Sequence, residues 1–222
     1  FPYTTLFRSH TRYEVSNNAG QDICDIVNNE GFDFLLVGSG ISMSDSPDDI
    51  AATRYRTSFY NRYFKRFKAP ESWFYPGALL KDKTKMFIAR SNCDVGVFIN
   101  RNFVKATNTL VVISSEEDLF LLDYTRTLLK ATHGSVGIVA KMSTTTPGHD
   151  QILKELWDFV SSIPQTQLLP DKDLTPGLFN SYNFMLIGYN TWNDVSEHRK
   201  EALQKMPSTL ILNKNKRSSS DN

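Results

Sequence analysis

Met86-Phe-Ile-Ala-Arg-Ser-Asn-Cys-Asp-Val-Gly-Val-Phe-Ile-Asn-Arg101 decides how the rest of the chain is read. Its first half spaces Met86, Phe87 and Ala89-Arg90 as a helix does. Its second half, Val95-Gly-Val-Phe-Ile99, is a continuous β-branched and apolar run of the kind buried on both faces of a parallel sheet. The turn Ser91-Asn-Cys-Asp94 joins the two, and Asn100-Arg101 closes the strand. This is the last helix and last strand of an α/β lobe. A second such ending runs from Val195 to Lys214, where VSEHRKEALQKM leads through Pro207-Ser208 into the strand-like Thr209-Leu-Ile-Leu212. Two endings imply two lobes.

Working backwards, Tyr3 to Phe7 is β-branched and aromatic and reads as a strand. Ser16-Asn-Asn18 offers N-cap chemistry for a helix from Ala19 to Asn28, with Ile23, Ile26 and Val27 at helical spacing and a stop at Asn29-Glu-Gly31. Phe32 to Val37 follows as a buried strand that ends in Gly38-Ser39-Gly40. Strand, helix, strand and small-residue turn make the crossover unit of a parallel sheet, in which ligands sit beyond the carboxyl ends of the strands. Gly38, Ser39 and Gly40 are therefore candidate ligand-binding residues. The competing reading is a tight turn out of a strand.

From residue 41 to residue 76 the pattern is that of an insertion. Ser42 to Asp49 is polar, and Arg54 to Lys68 then carries Arg54, Arg56, Arg62, Lys65, Arg66 and Lys68 with no acid among them. Tyr60, Tyr63, Phe64 and Phe67 fall at i, i+3, i+4 and i+7, so a helix would gather the aromatics on one face with cations beside and opposite them. Three readings stay open: an amphipathic helix packed on its own lobe, a docking element for an anionic membrane surface or a partner's cytoplasmic face, and a nucleic-acid surface. The formal charge of the whole chain, +1, argues against nucleic acid. Trp73-Phe-Tyr-Pro-Gly77 is a turn, Ala78 to Arg90 returns to helix, and Asn102 to Thr107 is a linker.

Beyond it, Thr109-Leu-Val-Val-Ile113 is a parallel-type strand. Ser114-Ser-Glu-Glu-Asp118 puts capping serines and dipole-matched acids ahead of a helix from Leu119 to Thr132, which ends at His133-Gly134. A phosphate-binding loop would want glycines there, so the turn reads as structural. Val136 to Met142 is the next strand, and Asp150 to Val160 is a helix with Ile152, Leu153, Leu156, Trp157 and Val160 on one face. Gln165 to Leu169 is a short strand and Phe184-Met-Leu-Ile187 a firmer one, ending at Gly188. Residues 214–222 read as a disordered tail.

The 222 residues, 40% hydrophobic and 22% charged, fit a soluble globular protein, and no apolar run approaches the roughly 18 residues of a membrane span. Cys24 and Cys93 sit in apolar settings and read as buried reduced thiols of a cytosolic protein. His10, His133, His149 and His198 show no metal-ligand spacing and no CxxC accompanies them, so no metal site is expected. Dinucleotide, P-loop and nucleophile-elbow motifs are absent, and the chain is expected not to be an enzyme.

Phe32 to Gly40 resembles the fourth strand and following turn of the universal stress protein fold, and Ala89 to Arg101 is similar to that fold's last helix and strand. A sharper resemblance is to the cytosolic C-terminal region of monovalent cation/proton antiporters, which include plant cation/H+ exchangers and fungal K+/H+ antiporters. That family pairs a cysteine with VGxxxxR as Cys93 to Arg101 does, then resumes with a strand, small-residue turn, acids and helix as Thr109 to Lys130 does.

The resemblance implies tandem stress-protein-like α/β lobes paired as a pseudo-dimer, residues 1–104 with the insertion 41–76 and residues 105–213. A complete lobe would have strand order 3-2-1-4-5, and the first lobe would enter at its third strand with its opening elements upstream. The family's nucleotide-binding members carry a glycine-rich stretch whose start Gly38, Ser39 and Gly40 match, which raises adenine nucleotide as a cofactor. Against it, Lys81-Asp82 fall where a glycine-serine pair is expected, and the second lobe offers Gly188-Tyr-Asn-Thr-Trp192 in place of glycines. No cofactor is assigned.

The implied function is a non-catalytic regulatory domain that modulates a K+/H+ antiporter in cation and pH homeostasis. Its expected partners are the transmembrane antiporter domain of the same polypeptide and a second copy of itself. Its expected place is the cytoplasmic face of a membrane, an endomembrane rather than the plasma membrane. The alternative is a free-standing stress-type protein that binds adenine nucleotide.

Overall fold

The architecture is taken from a computed structural model, which describes residues 19–38, 85–142, 147–170, 174–198 and 205–215. In chain order the elements are α1 (Ala19–Glu30), β1 (Phe34–Gly38), α2 (described over 85–90), β2 (Asp94–Ile99) and β3 (Asn108–Ile113). A 3-10 turn (Glu116–Asp118) leads into α3 (Leu121–Thr132), β4 (Ser135–Ala140), α4 (His149–Ser162) and β5 (Thr166–Pro170). The chain continues with α5 (Pro176–Phe179), β6 (Phe184–Gly188), α6 (Tyr189–His198) and β7 (Ser208–Asn213).

The fold is α/β. Seven strands form one sheet in the order β1-β2-β7-β6-β3-β4-β5. All neighbouring strands are parallel except β2 and β7, which pair antiparallel with Val95 opposite Asn213 and Ile99 opposite Thr209. Numbered from β3, the last five strands have the order 3-2-1-4-5 expected of a complete stress-protein-like lobe. β1 and β2 join that lobe edge to edge, so a single hydrogen-bonded sheet runs through both parts of the chain.

β3 lies at the heart of the sheet between β4 and β6, and its Leu110, Val111, Val112 and Ile113 are fully buried. A strand covered on both faces has no polar side to show, which is why this run carries no alternation. One face packs on α1, α2 and α6 through Cys24, Val27, Phe87, Trp192 and Val195. The other packs on α3 and α4 through Leu121, Leu129, Ile152, Leu156 and Phe159. Truncating any of these large side chains to alanine would cost about 2 to 5 kcal/mol.

The helices end where their sequences say they should. Gly31 takes φ +68 after α1, and Phe32 N–H closes on the Val27 carbonyl at 3.2 Å. After α3, His133 enters the left-handed region at φ 52, and a Cβ on Gly134 would collide with the Thr107 backbone.

Three expectations change. In α4, Phe159 is buried while Trp157 is 53% exposed, because the apolar stripe follows Ile152, Leu156 and Phe159 around the helix. α6 starts at Tyr189 directly off β6, ahead of the helix expected from Val195, so Gly188-Tyr-Asn-Thr-Trp192 is strand end and helix start; residues 199–204 lie outside the described residues. Asn215, which the sequence places in a disordered tail, is held beside β2: its N–H donates to Asp94 Oδ1 at 2.7 Å and its side-chain amide donates to the Ser91 carbonyl at 2.9 Å, while residues 216–222 lie outside the described residues. The expected strand Tyr3–Phe7 and the insertion 41–76 fall outside the described residues.

The sheet also exposes a repeat. Phe32-Asp-Phe-Leu-Leu-Val-Gly38 and Tyr182-Asn-Phe-Met-Leu-Ile-Gly188 match position by position in residue character. They also match in register: Phe34 faces Asp94 of β2 as Phe184 faces Ser208 of β7.

Candidate functional site

In a parallel sheet the natural ligand crevice opens where two adjacent strands send their connections to opposite faces. Here that place lies beyond the carboxyl ends of β3 and β6. The chain leaves β3 for α3 on one face and leaves β6 for α6 on the other.

The crevice is filled by the chain's own carboxylate. Asp118, 2% exposed, turns Oδ2 back toward the end of β3, where it accepts hydrogen bonds from Ser114 N–H at 2.8 Å, Ser115 N–H at 3.2 Å and Ser114 Oγ at 3.1 Å. From α6, Thr191 Oγ1 reaches the same oxygen at 2.6 Å, and the Ser114 and Thr191 hydroxyls also touch, so two hydroxyl protons are shared among three contacts. Asp118 Oδ1 lies against Gly188, where any Cβ would collide with it. Backbone N–H groups at a strand-to-helix turn are the donors an anion would use. At this turn a fixed internal anion already uses them.

The rim is polar and paired. Asn190 Nδ2 donates to Glu117 Oε2 at 2.7 Å, and Lys141 Nζ lies 3.5 Å from Asp194 Oδ2. Of the acids expected merely to complement a helix dipole, Asp118 is thus buried and Glu117 ties the turn to α6.

A second polar cluster lies at the same end of the sheet, where β2 begins. Asp94 accepts from the Tyr124 hydroxyl at 2.9 Å and from Asn215 N–H at 2.7 Å, which joins β2, α3 and the segment after β7. Burial, then the hydrogen bond to Asp94 and its charge, push the Tyr124 phenol well above its usual value. Burial and the neighbouring Asp94 charge likewise push the Cys93 thiol up. A thiol held protonated is a poor nucleophile, and the buried Cys24 accepts only a weak contact from Ser91 Oγ at 3.8 Å.

Of the candidate residues read from the sequence, Gly38 ends β1 and is exposed. Because β2 runs antiparallel to β7, the carboxyl end of β1 lies at the opposite end of the sheet from Asp118. Ser39, Gly40, the pair Lys81-Asp82 and the cations Arg54, Arg56, Arg62, Lys65, Arg66 and Lys68 are outside the described residues. Among the described residues no group of histidines, cysteines and carboxylates could hold a metal, and no helix is long and apolar enough to cross a membrane. The residues that meet at the crevice, Asp118 and Thr191, are 73 positions apart, and only the serine-then-acid spacing Ser114 to Asp118 hinted at their site.

No protein-family model matches the chain, and no curated protein matches it. Among solved structures it is similar to a universal stress protein from Archaeoglobus fulgidus DSM 4304. The two share 12% sequence identity and a TM-score of 0.49, over 89% of this chain and 66% of that one. The fold assignment rests on the strand order and register described above.

Proposed function

We propose that the chain is a non-catalytic regulatory domain of a monovalent cation/proton antiporter, adjusting K+/H+ exchange from the cytoplasmic face of the membrane that holds the transporter. The antiporter half of this reading is supported by the sequence, in the run from Cys93 to Arg101 and the order of elements from Thr109 to Lys130. The non-catalytic half is carried by one observation: the donors at the sheet's switch point are committed to Asp118. A phosphate entering there would meet a buried carboxylate held at hydrogen-bond distance from every donor it needs. A protein that works by coupling, rather than by turning over a nucleotide, has no need of that crevice.

The deciding experiment measures K+/H+ exchange in proteoliposomes by an antiporter that carries this chain as its cytosolic part, against the same transporter with the chain deleted. Deletion is expected to leave exchange intact and to shift its dependence on pH or K+. An unchanged dependence overturns the antiporter reading. Titration of the chain with ATP separates the alternative: saturable binding at micromolar concentration would favour a stress-type protein that binds adenine nucleotide.

A further inference from the structure

The two ends of the sheet differ in charge. Residues 100–107, 130–135, 162–166, 180–183 and 205–208 lie at the end where β2 finishes and β3 to β7 begin. They carry Arg101, Lys105, Lys130, His133 and Lys205 and not one carboxylate. The three lysines are exposed, and no carboxylate pairs with them among the described residues. The opposite end shows Glu30, Asp33, Glu116, Glu117, Asp150 and Asp194 to solvent, which outnumber Arg90, Lys141 and Lys214 there.

At the basic end the connection from β2 to β3 holds two apolar side chains in solvent. Asn102 takes the left-handed φ of 56, and Phe103 N–H donates to Asn100 Oδ1 at 2.9 Å, which shapes the turn. Both feet of the loop are fixed. Arg101 N–H donates to Ser208 Oγ at 2.8 Å, three residues after Lys205. The Thr107 carbonyl accepts Ser135 N–H at 2.7 Å beside His133, and the Thr107 hydroxyl accepts the Asn183 amide at 2.6 Å. Between these feet Phe103 packs on Phe98 and Phe184 with 39% of its surface still exposed, and Val104 is 92% exposed. A single exposed valine is ordinary on a protein surface. This one stands beside a half-anchored phenylalanine, on a fixed loop, at the end of the molecule that holds lysines and lacks acids.

We propose that this end of the sheet docks on an anionic lipid surface, with Val104 and the exposed part of Phe103 entering the headgroup layer and Lys105, Lys130 and Lys205 facing its negative charges. The complementarity is of two kinds at once. A bilayer surface presents anionic groups over an apolar layer, and the loop presents an apolar tip among cations. Nucleic acid would match the lysines but offers no apolar layer for an aliphatic side chain. The acidic end, at the far side of the strands, is then held away from the surface, and the strands run across the membrane plane rather than along it. The inference goes beyond the function proposed above by naming the end that meets the membrane. It rests on the loop and the charges and not on the antiporter reading, and it does not involve Arg54 to Lys68, which the test leaves unchanged.

Co-sedimentation of the whole chain with vesicles of phosphatidylcholine, alone or mixed with phosphatidylserine, tests it. The parent is expected to bind the mixed vesicles and not the neutral ones, and to bind less as salt rises. Val104→Asp, and separately the combination of Lys105→Glu, Lys130→Glu and Lys205→Glu, should each weaken binding roughly tenfold or more. Both variants should keep the parent's circular dichroism and melting, since all four positions are exposed. Insertion is read directly by a polarity-sensitive fluorophore on Val104→Cys, whose emission should shift to the blue on mixed vesicles. The same label on Asp150→Cys, at the acidic end, should not shift, and the native Cys24 and Cys93 are buried away from the reagent. A parent that binds no vesicles, binding that survives both variants, or a label that responds at residue 150 in place of residue 104 overturns the proposal. Binding to a duplex oligonucleotide without binding to mixed vesicles assigns the basic end to nucleic acid and overturns it equally. None of these outcomes bears on the proteoliposome experiment, so failure here and failure of the antiporter reading are distinct.

Discussion

Thr191 Oγ1, on the first turn of α6, donates a 2.6 Å hydrogen bond to Oδ2 of Asp118, in the turn that leaves β3. The bond fastens the two connections of the sheet's switch point to each other across its carboxyl edge. It also makes Asp118 part of the fold rather than of a solvated acidic cluster.

Asp118→Ala should destabilise the chain by about 2 to 4 kcal/mol, since it leaves the N–H groups of Ser114 and Ser115 and the Thr191 hydroxyl without their charged acceptor. Thr191→Val should cost about 2 kcal/mol, removing one donor while keeping volume. Urea unfolding reads both as a fall in midpoint at unchanged slope. An Asp118→Ala midpoint equal to the parent's would show that the carboxylate is not holding this turn.

Gly188→Ala should also destabilise, because the nearest atoms its Cβ would meet all belong to Asp118. The cost is specific to that pair. In an Asp118→Gly background the same substitution should cost less by more than about 1 kcal/mol, a coupling that a double-mutant cycle measures. Strict additivity would place the clash elsewhere.

Alkaline pH should unfold the chain through Tyr124 and Cys93. Both folded-state values are raised, from ordinary values of 10.0 for the phenol and 9.0 for the thiol. Between the ordinary and the raised value the folded state binds more protons than the unfolded one, so stability is fully present below about pH 9 and is lost as pH rises beyond it. Thermal melts from pH 7 to 11 should fall in that window, and Tyr124→Phe should flatten the fall above pH 10. The phenylalanine variant should also lose about 1 kcal/mol at neutral pH with the bond to Asp94. A slope above pH 10 unchanged by the substitution would assign the loss to other groups.

Docking by the basic segment is tested by replacing Arg62, Lys65, Arg66 and Lys68 with glutamine. Each cation near an anionic surface contributes about 1 kcal/mol, weakened by salt. The expected result is loss of co-sedimentation with phosphatidylserine vesicles at an almost unchanged melting temperature. Binding that survives the replacement, or a parent that never binds, removes the lipid surface as a partner.

Most of the fold was legible because burial writes itself into local composition. Thr109 to Ile113 and Val95 to Ile99 are apolar without alternation because each is covered on both faces, and that requirement can be read from the strands one at a time. The helix stops at Gly31 and at His133-Gly134 were legible for the same local reason, a backbone turn that few residues adopt. The candidate site was much less so. Asp118 and Glu117 look alike as neighbours in an acidic turn, and only the arrival of Gly188 from β6 and Thr191 from α6 buries one and leaves the other at the rim.

What the sequence determined by itself is therefore the identity and order of the strands and helices, since side-chain periodicity and turn residues act within a few positions of the chain. What only the tertiary structure decided is how the edges meet: that β2 runs antiparallel to β7, that Asn215 is fastened to Asp94, and that Leu36 is exposed where Leu186 is buried. Those outcomes depend on backbone hydrogen bonds and on neighbours distant in sequence. A strand carries the same peptide groups along its edge whichever residues it is made of, so its sequence records that it is buried but not which strand lies beside it or in which direction that strand runs.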